Sequence, residues 1–296
     1  MTRIFILLTV ALIGFTGCKK ARLDSLAFPS EKLDSYQFEK AEGEIEIPES
    51  MMADAAHYTL MTFNSHDESA NINYKIYGVF IGDIGSIASD TLIVYFHGQS
   101  KHMDNYFSRA SLLANCGGKY NYNILMMDYR GYGMSEGESS EQGLYEDADA
   151  VINYLINMGV DPNKTIYYGY SLGAIPAIDR LANRTDFQAS KLIIESPLAS
   201  VQNLVETSTV IQTDAEFMTD LKFENAEKIK SVTQPLQWFH GIEDTYIAIE
   251  NGELIFANSP AGVKEANRIP GSDHSEIPVK IGLENYIQKV TSFIQE

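Results

Sequence analysis

Cysteine is nearly absent, with only Cys18 and Cys116 among 296 residues, so a disulfide scaffold and a cysteine-built metal centre are both excluded. Basic residues are scarce as well. Lys and Arg number 22 against 40 Asp and Glu, for a net charge of −18. A chain this acidic, with no cluster of Lys and Arg, repels a phosphate backbone, and no nucleic-acid partner is expected. Histidine occurs six times, at 57, 66, 97, 102, 240 and 274, with no pair at helical ligand spacing, so neither a metal nor a cofactor is expected. Internal repeats and low-complexity tracts are missing. The one long apolar run, Ile4 to Phe15, is too short to cross a bilayer as an ordinary helix.

That run follows Arg3 and ends in Phe-Thr-Gly-Cys, which resembles the lipobox of bacterial lipoproteins. The resemblance implies a signal peptide over 1–17 and a lipid on Cys18, tying the mature chain to a membrane. Lys19 is not the Asp associated with inner-membrane retention, so an outer-membrane anchor in the cell envelope is expected. The alternative is a plain secretory signal with an incidental cysteine. With Cys18 lipidated, Cys116 has no partner, and its setting in SLLANCGG reads as a small buried hydrophobe.

Residues 18–50 read as a tether that becomes an ordered flap near residue 30. Beyond it, period-2 and period-3.6 segments alternate. Strands are expected at 57–63, 73–81, 91–96, 122–128, 164–169, 191–196, 236–240 and 261–269, and helices at 103–115, 140–158, 172–183, 247–258 and 277–295. In 140–158, Leu144, Ala148, Val151, Ile152 and Leu155 recur at helical spacing, and Asp147 and Asp149 are read as facing outward. Two early strands followed by strand–helix units predict an α/β fold, a mostly parallel, twisted eight-stranded sheet with helices on both faces. Between 191–196 and 236–240 lie about 40 residues, long for a connection, and 197–234 is read as a small lid. Val201, Leu204 and Val205 mark one lid helix; Phe217, Met218 and Leu221 mark another.

The stretch YYGYSLGAIPA places Ser171 between Gly169 and Gly173, at a strand-to-helix junction. The spacing is a weak signal alone, but missing side chains at both glycines let neighbouring backbone approach a sharp turn. A serine hydroxyl needs a base, and the base an orienting acid. His274, in the polar loop PGSDHSE, is the best placed of the six histidines. His97 and His240 each end a strand as His-Gly, where a turn role is expected. Asp244 in FHGIEDTYIA is the preferred acid, Glu243 and Asp273 being the fallbacks; Asp244 could instead cap the following helix. An oxyanion hole needs two backbone N–H groups, and Leu172 and Gln99 are the candidates.

The stretches VYFHGQS, MMDYRGYGMSEG, IYYGYSLGA, IIESPLAS, KIKSVTQPLQWFHGIEDTYI and GSDHSE resemble the α/β-hydrolases, in the branch of serine aminopeptidase-like, lysophospholipase-like and monoacylglycerol-lipase-like enzymes. The resemblance implies an α/β-hydrolase fold over 51–296 and a serine nucleophile. It makes Asp128 and Arg130 structural supports rather than catalysts. Two positions depart from the pattern: Pro176, early in the helix after Ser171, and Asp273, where related enzymes often carry Gly. The expected reaction is hydrolysis of a carboxylic ester or thioester through an acyl-enzyme on Ser171, on a small-molecule or short-peptide acyl substrate. Alternatives are a peptidase of the aminopeptidase type and a catalytically silent, lipid-anchored binding module. Tyr129, Tyr132, Tyr170 and Tyr246 are candidates to line the pocket, and a monomer is expected.

Overall fold

The computed structural model describes residues 27–207 and 219–296. Cys18 and the proposed signal segment lie outside them, as do Phe217 and Met218 of the second lid helix. Eight strands form one sheet: β1 (Tyr58–Asp67), β2 (Ile72–Ile81), β3 (Leu92–Phe96), β4 (Asn123–Met127), β5 (Thr165–Tyr170), β6 (Lys191–Glu195), β7 (Leu236–Gly241) and β8 (Lys264–Ile269). Their spatial order is β1-β2-β4-β3-β5-β6-β7-β8. The β1–β2 and β2–β4 pairs are antiparallel and the others parallel.

The sheet is covered on both sides, which is why β3, β4 and β5 are buried along their whole length instead of alternating with solvent. Alternation survives as a choice of side. Leu92, Val94 and Phe96 of β3 join one core and Ile93 and Tyr95 the other. The first core packs against α2 (Glu141–Asn157), α3 (Ala174–Asn183) and α6 (Glu250–Asn258), numbered past two short helices of the insertion, α4 (Val201–Thr207) and α5 (Asn225–Lys228). The second core packs against α1 (Met103–Leu113) and α8 (Leu283–Gln295), the latter preceded by the short α7 (Ile277–Ile281).

Several boundaries differ from the sequence reading. The C-terminal helix is broken at Gly282, whose φ of 89° no helix continues through. The last strand starts at Lys264 rather than 261. Leu221, assigned to a lid helix, lies in irregular chain. Pro176 leaves α3 intact because it is the third helical residue, where an N–H has no intrahelical partner to lose.

Asp147 is the clearest correction. It is fully buried, not outward-facing. Its carboxylate accepts hydrogen bonds from Ser65 Oγ at 2.7 Å and from Arg130, through the backbone N–H at 2.6 Å and Nε at 3.0 Å. Position 147 stands three after Leu144 and four before Val151, so helical spacing already placed it on the buried stripe. Polarity was the misleading cue. Asp149 is partly exposed and pairs with Arg180 and Arg184.

The N-terminal flap is sewn onto this body. Ser30 and Lys32 form β-bridges with Lys101 and Gly133. Tyr36 Oη donates to Asp128 at 2.6 Å, and Phe38 and Ile45 are buried in the second core. The insertion after β6 folds back on itself, Val201 N–H donating to Lys222 O and Ala226 N–H to Ala199 O.

Candidate active site

Strand β5 delivers Ser171 at its C-terminal end, where the chain turns sharply into α3. Ser171 has φ 52°, a left-handed conformation that costs an L-residue energy and is held by its surroundings. The two glycines explain how. A Cβ at Gly173 would lie 1.9 Å from Phe96 O of β3, and one at Gly169 would lie 2.6 Å from Ala174 Cα. The turn can press against both strand and helix only where those side chains are missing.

His274 and Asp244 arrive from the loops after β8 and β7. His274 Nε2 lies 2.9 Å from Ser171 Oγ, and His274 Nδ1 lies 2.8 Å from Asp244 Oδ2. The other Asp244 oxygen accepts from the backbone N–H groups of Tyr246 at 2.9 Å and Ile247 at 2.8 Å. Burial opposes ionisation of Asp244, but hydrogen bonds from His240 and His274, with that of Ile247 N–H, outweigh it. The carboxyl is held well below the usual range. This line of contacts can accept a proton from the serine hydroxyl and support the resulting imidazolium.

His240 was read as a turn residue, and the structure corrects that. It is fully buried under the acid, with Nε2 2.9 Å from Ile247 O and 3.3 Å from Asp244 Oδ2. Trp238 Nε1 donates to its Nδ1 at 3.3 Å; an indole only donates, so the neutral ring carries its proton on Nε2, facing Asp244. His97 is likewise buried, stacked on Tyr106 with Nε2 3.1 Å from Asp128 Oδ1.

The fallback acids have other work. Asp273 Oδ1 accepts from Thr245 N–H and His274 N–H, both at 2.8 Å, tying the Asp244 loop to the His274 loop. Glu243 accepts from Gly271 N–H at 2.6 Å. Asp128 accepts from Met103 N–H at 2.8 Å as well as from Tyr36. Arg130 pairs with Asp67, Glu146 and Asp147. Asp128 and Arg130 hold loops in place, and neither reaches the Ser171 cavity.

Ser171 and His274 open on a cavity of about 510 Å³, which Gln99, Tyr170 and Tyr246 also line. Gln99 Nε2 donates to Tyr246 Oη at 2.5 Å, and Gln99 O accepts from Tyr132 Oη at 2.6 Å. Leu172 is buried directly behind the serine. Tyr129 and Tyr132 are buried instead of lining the cavity, because their hydroxyls reach inward to His97 O and Gln99 O. No described residue of 197–234 lines it either.

One lining residue comes from the flap and was missed. Glu44 reaches the cavity with its side chain 9% exposed, paired with the fully buried Arg109 of α1. Arg109 also pairs with Glu195 at the end of β6, donates to Ser275 O at 3.1 Å, and lies 4.3 Å over the Tyr170 ring. Glu195 accepts in addition from Tyr168 Oη at 2.6 Å and Tyr286 Oη at 2.8 Å. A sequence signal existed: Glu195 closes the apolar run LIIE, and a charge inside a buried strand demands a buried partner.

Comparison with known proteins agrees with this architecture. The family model described as serine aminopeptidase, S33, matches residues 88–234, which include Ser171 and stop short of Asp244 and His274. Alpha/beta hydrolase domain-containing protein 17C of Mus musculus is 31% identical over 205 residues, covering 68% of this chain and 59% of its own length. Alpha/beta hydrolase domain-containing protein aho-3 of Caenorhabditis elegans is 32% identical over 205 residues, covering 68% of this chain and 57% of its own. The chain thus spans about three-fifths of the length of these relatives. Among solved structures, the esterase Pf2001 of Pyrococcus furiosus superposes with a TM-score of 0.62 at 17% identity, covering 86% of this chain and 96% of that one. An alpha-beta hydrolase of Vibrio vulnificus gives 0.62 at 20%, covering 90% and 96%. Fold and sequence likeness together place the chain in the α/β-hydrolase superfamily.

Proposed function

We propose that the protein is a serine hydrolase that cleaves a carboxylic ester or thioester. The observation that carries this reading is the continuous contact from Asp244 through His274 to Ser171, at 2.8 and 2.9 Å. Ser171 attacks the acyl carbonyl while His274 takes its proton. The backbone N–H groups of Leu172 and Gln99 stabilise the tetrahedral oxyanion. His274 then protonates the leaving group, and water repeats the sequence on the acyl-enzyme. A silent binding module has no physical need of this aligned set. The esterase named among the structural neighbours agrees with an ester substrate. The insertion over 197–234 is read as the lid from its place after β6, at the strand ends that open toward Ser171.

The aminopeptidase description of the matching family model supports a second reading, cleavage of short N-terminal residues by the same machinery. Nitrophenyl esters of increasing chain length, set beside aminoacyl anilides, separate the two: faster anilide turnover selects the peptidase. The test of the chemistry itself is fluorophosphonate labelling, lost in Ser171→Ala with the fold intact. Labelling that persists moves the nucleophile elsewhere.

The Phe-Thr-Gly-Cys motif supports a lipid on Cys18 and attachment to the outer membrane. Metabolic labelling with an alkyne fatty acid, lost in Cys18→Ser, tests it.

A further inference from the structure

The charge of the Ser171 cavity goes beyond what the reaction needs. Glu44, Asp273 and Glu276 all line it, and no Lys or Arg is among its described lining residues. The nearest guanidinium, that of Arg109, lies behind the wall and is shared by two carboxylates, Glu44 and Glu195. Glu195 is sealed by the Tyr168 and Tyr286 hydroxyls, so the surplus negative charge falls on the Glu44 side. Arg109 meets Glu44 at Oε1, and among the described residues nothing donates to Oε2. Burial pushes this carboxyl up and Arg109 pulls it down, and an ammonium group arriving beside Oε2 would add to the pull toward the ion. Of the tyrosines on the wall, Tyr170 has Arg109 over its ring and Tyr106 has His97 stacked on it. Tyr246 meets His274 at a tilt, 5.0 Å between ring centres, but is 53% exposed, so it still offers ring surface to a cation.

We propose that Glu44 makes this cavity selective for substrates that carry an ammonium group near the scissile acyl bond. Glu44 contributes the charge and Tyr246 an aromatic face, and Glu44 is a specificity-determining residue supplied by the flap. The inference rests on the serine hydrolase reading.

The test uses two phosphonate inactivators of equal size, one ending in trimethylammonium and the other in its neutral tert-butyl isostere. The second-order rate of Ser171 modification is measured for each. The wild-type protein is expected to react about tenfold faster with the cation. In Glu44→Gln, which keeps an oxygen for Arg109, the ratio of the two rates should fall toward one. Equal rates in the wild type overturn the proposal without reference to any variant. A ratio unchanged in Glu44→Gln, both rates having dropped together, also overturns it, because that is the effect of a purely structural residue. If neither compound reacts, the serine hydrolase reading fails, and this inference with it.

Discussion

Asp273 joins the loop after β8 to Thr245 in the loop after β7, one carboxylate oxygen accepting the N–H of Thr245 and of His274 at 2.8 Å each. Asp273 thus ties together the two loops that carry the proposed acid and base. Asp273→Ala is expected to lower kcat about tenfold, the order expected when a catalytic geometry loosens by a fraction of an ångström. Asp273→Asn, whose carbonyl can still accept both bonds, should retain more. Steady-state kinetics on one nitrophenyl ester decides the order.

Gly173 should tolerate no side chain. A Cβ there meets Phe96 O and His97 O at 1.9 and 2.8 Å, both backbone atoms that cannot swing aside. Gly173→Ala is predicted to destabilise the fold by roughly 3 kcal/mol or more. Gly262 has nothing within 4 Å of its would-be Cβ, so Gly262→Ala should stay within about 0.5 kcal/mol of the parent. Denaturant melts of the two variants make the comparison.

Asp244 carries a pH signature. Its carboxyl is depressed in the folded state, so the ion adds stability above about pH 4 that is lost as the pH falls through the folded-state pKa. The stability gap between wild type and Asp244→Asn should therefore be widest near neutrality and narrow in acid. The same substitution should cut kcat about 10³- to 10⁴-fold, because an amide N–H facing His274 disturbs its tautomer. Melts across pH and kinetics at pH 7 test the two halves separately.

Arg109 is fully buried between Glu44 and Glu195. Arg109→Met strips both carboxylates of their cation and should cost about 3–5 kcal/mol. Adding Glu195→Gln to that variant should recover part of the loss, since one uncompensated charge is removed with it. Failure of the second change to restore anything would mean that packing of the long side chain, not charge, dominates.

The centre of the sheet was legible because β3, β4, β5 and β6 are largely apolar runs bounded by turn residues, and helices of period 3.6 fall between them. The meeting of Ser171, Asp244 and His274 was legible for a related reason: Ser171 and Asp244 follow apolar strands and His274 a polar loop after the last strand, and strand ends share one rim of a parallel sheet. Glu44 was not, because it sits in an irregular segment whose contacts are all long-range. His240 was misread since a His-Gly pair after a strand suits a turn equally well, and only the position of Asp244 above the ring distinguishes the two. Asp147 shows the opposite error, in which spacing held the answer and polarity overrode it.

The flap gives the Ser171 cavity part of its wall. A gene trimmed to begin at residue 51 would keep every strand and all three members of the proposed relay. It would also uncover the second core where Phe38 and Ile45 now rest, free Asp128 of its tyrosine, and leave Arg109 facing water with a single carboxylate. Such a protein could still react with small phosphonates while having lost the surface that tells one acyl compound from another.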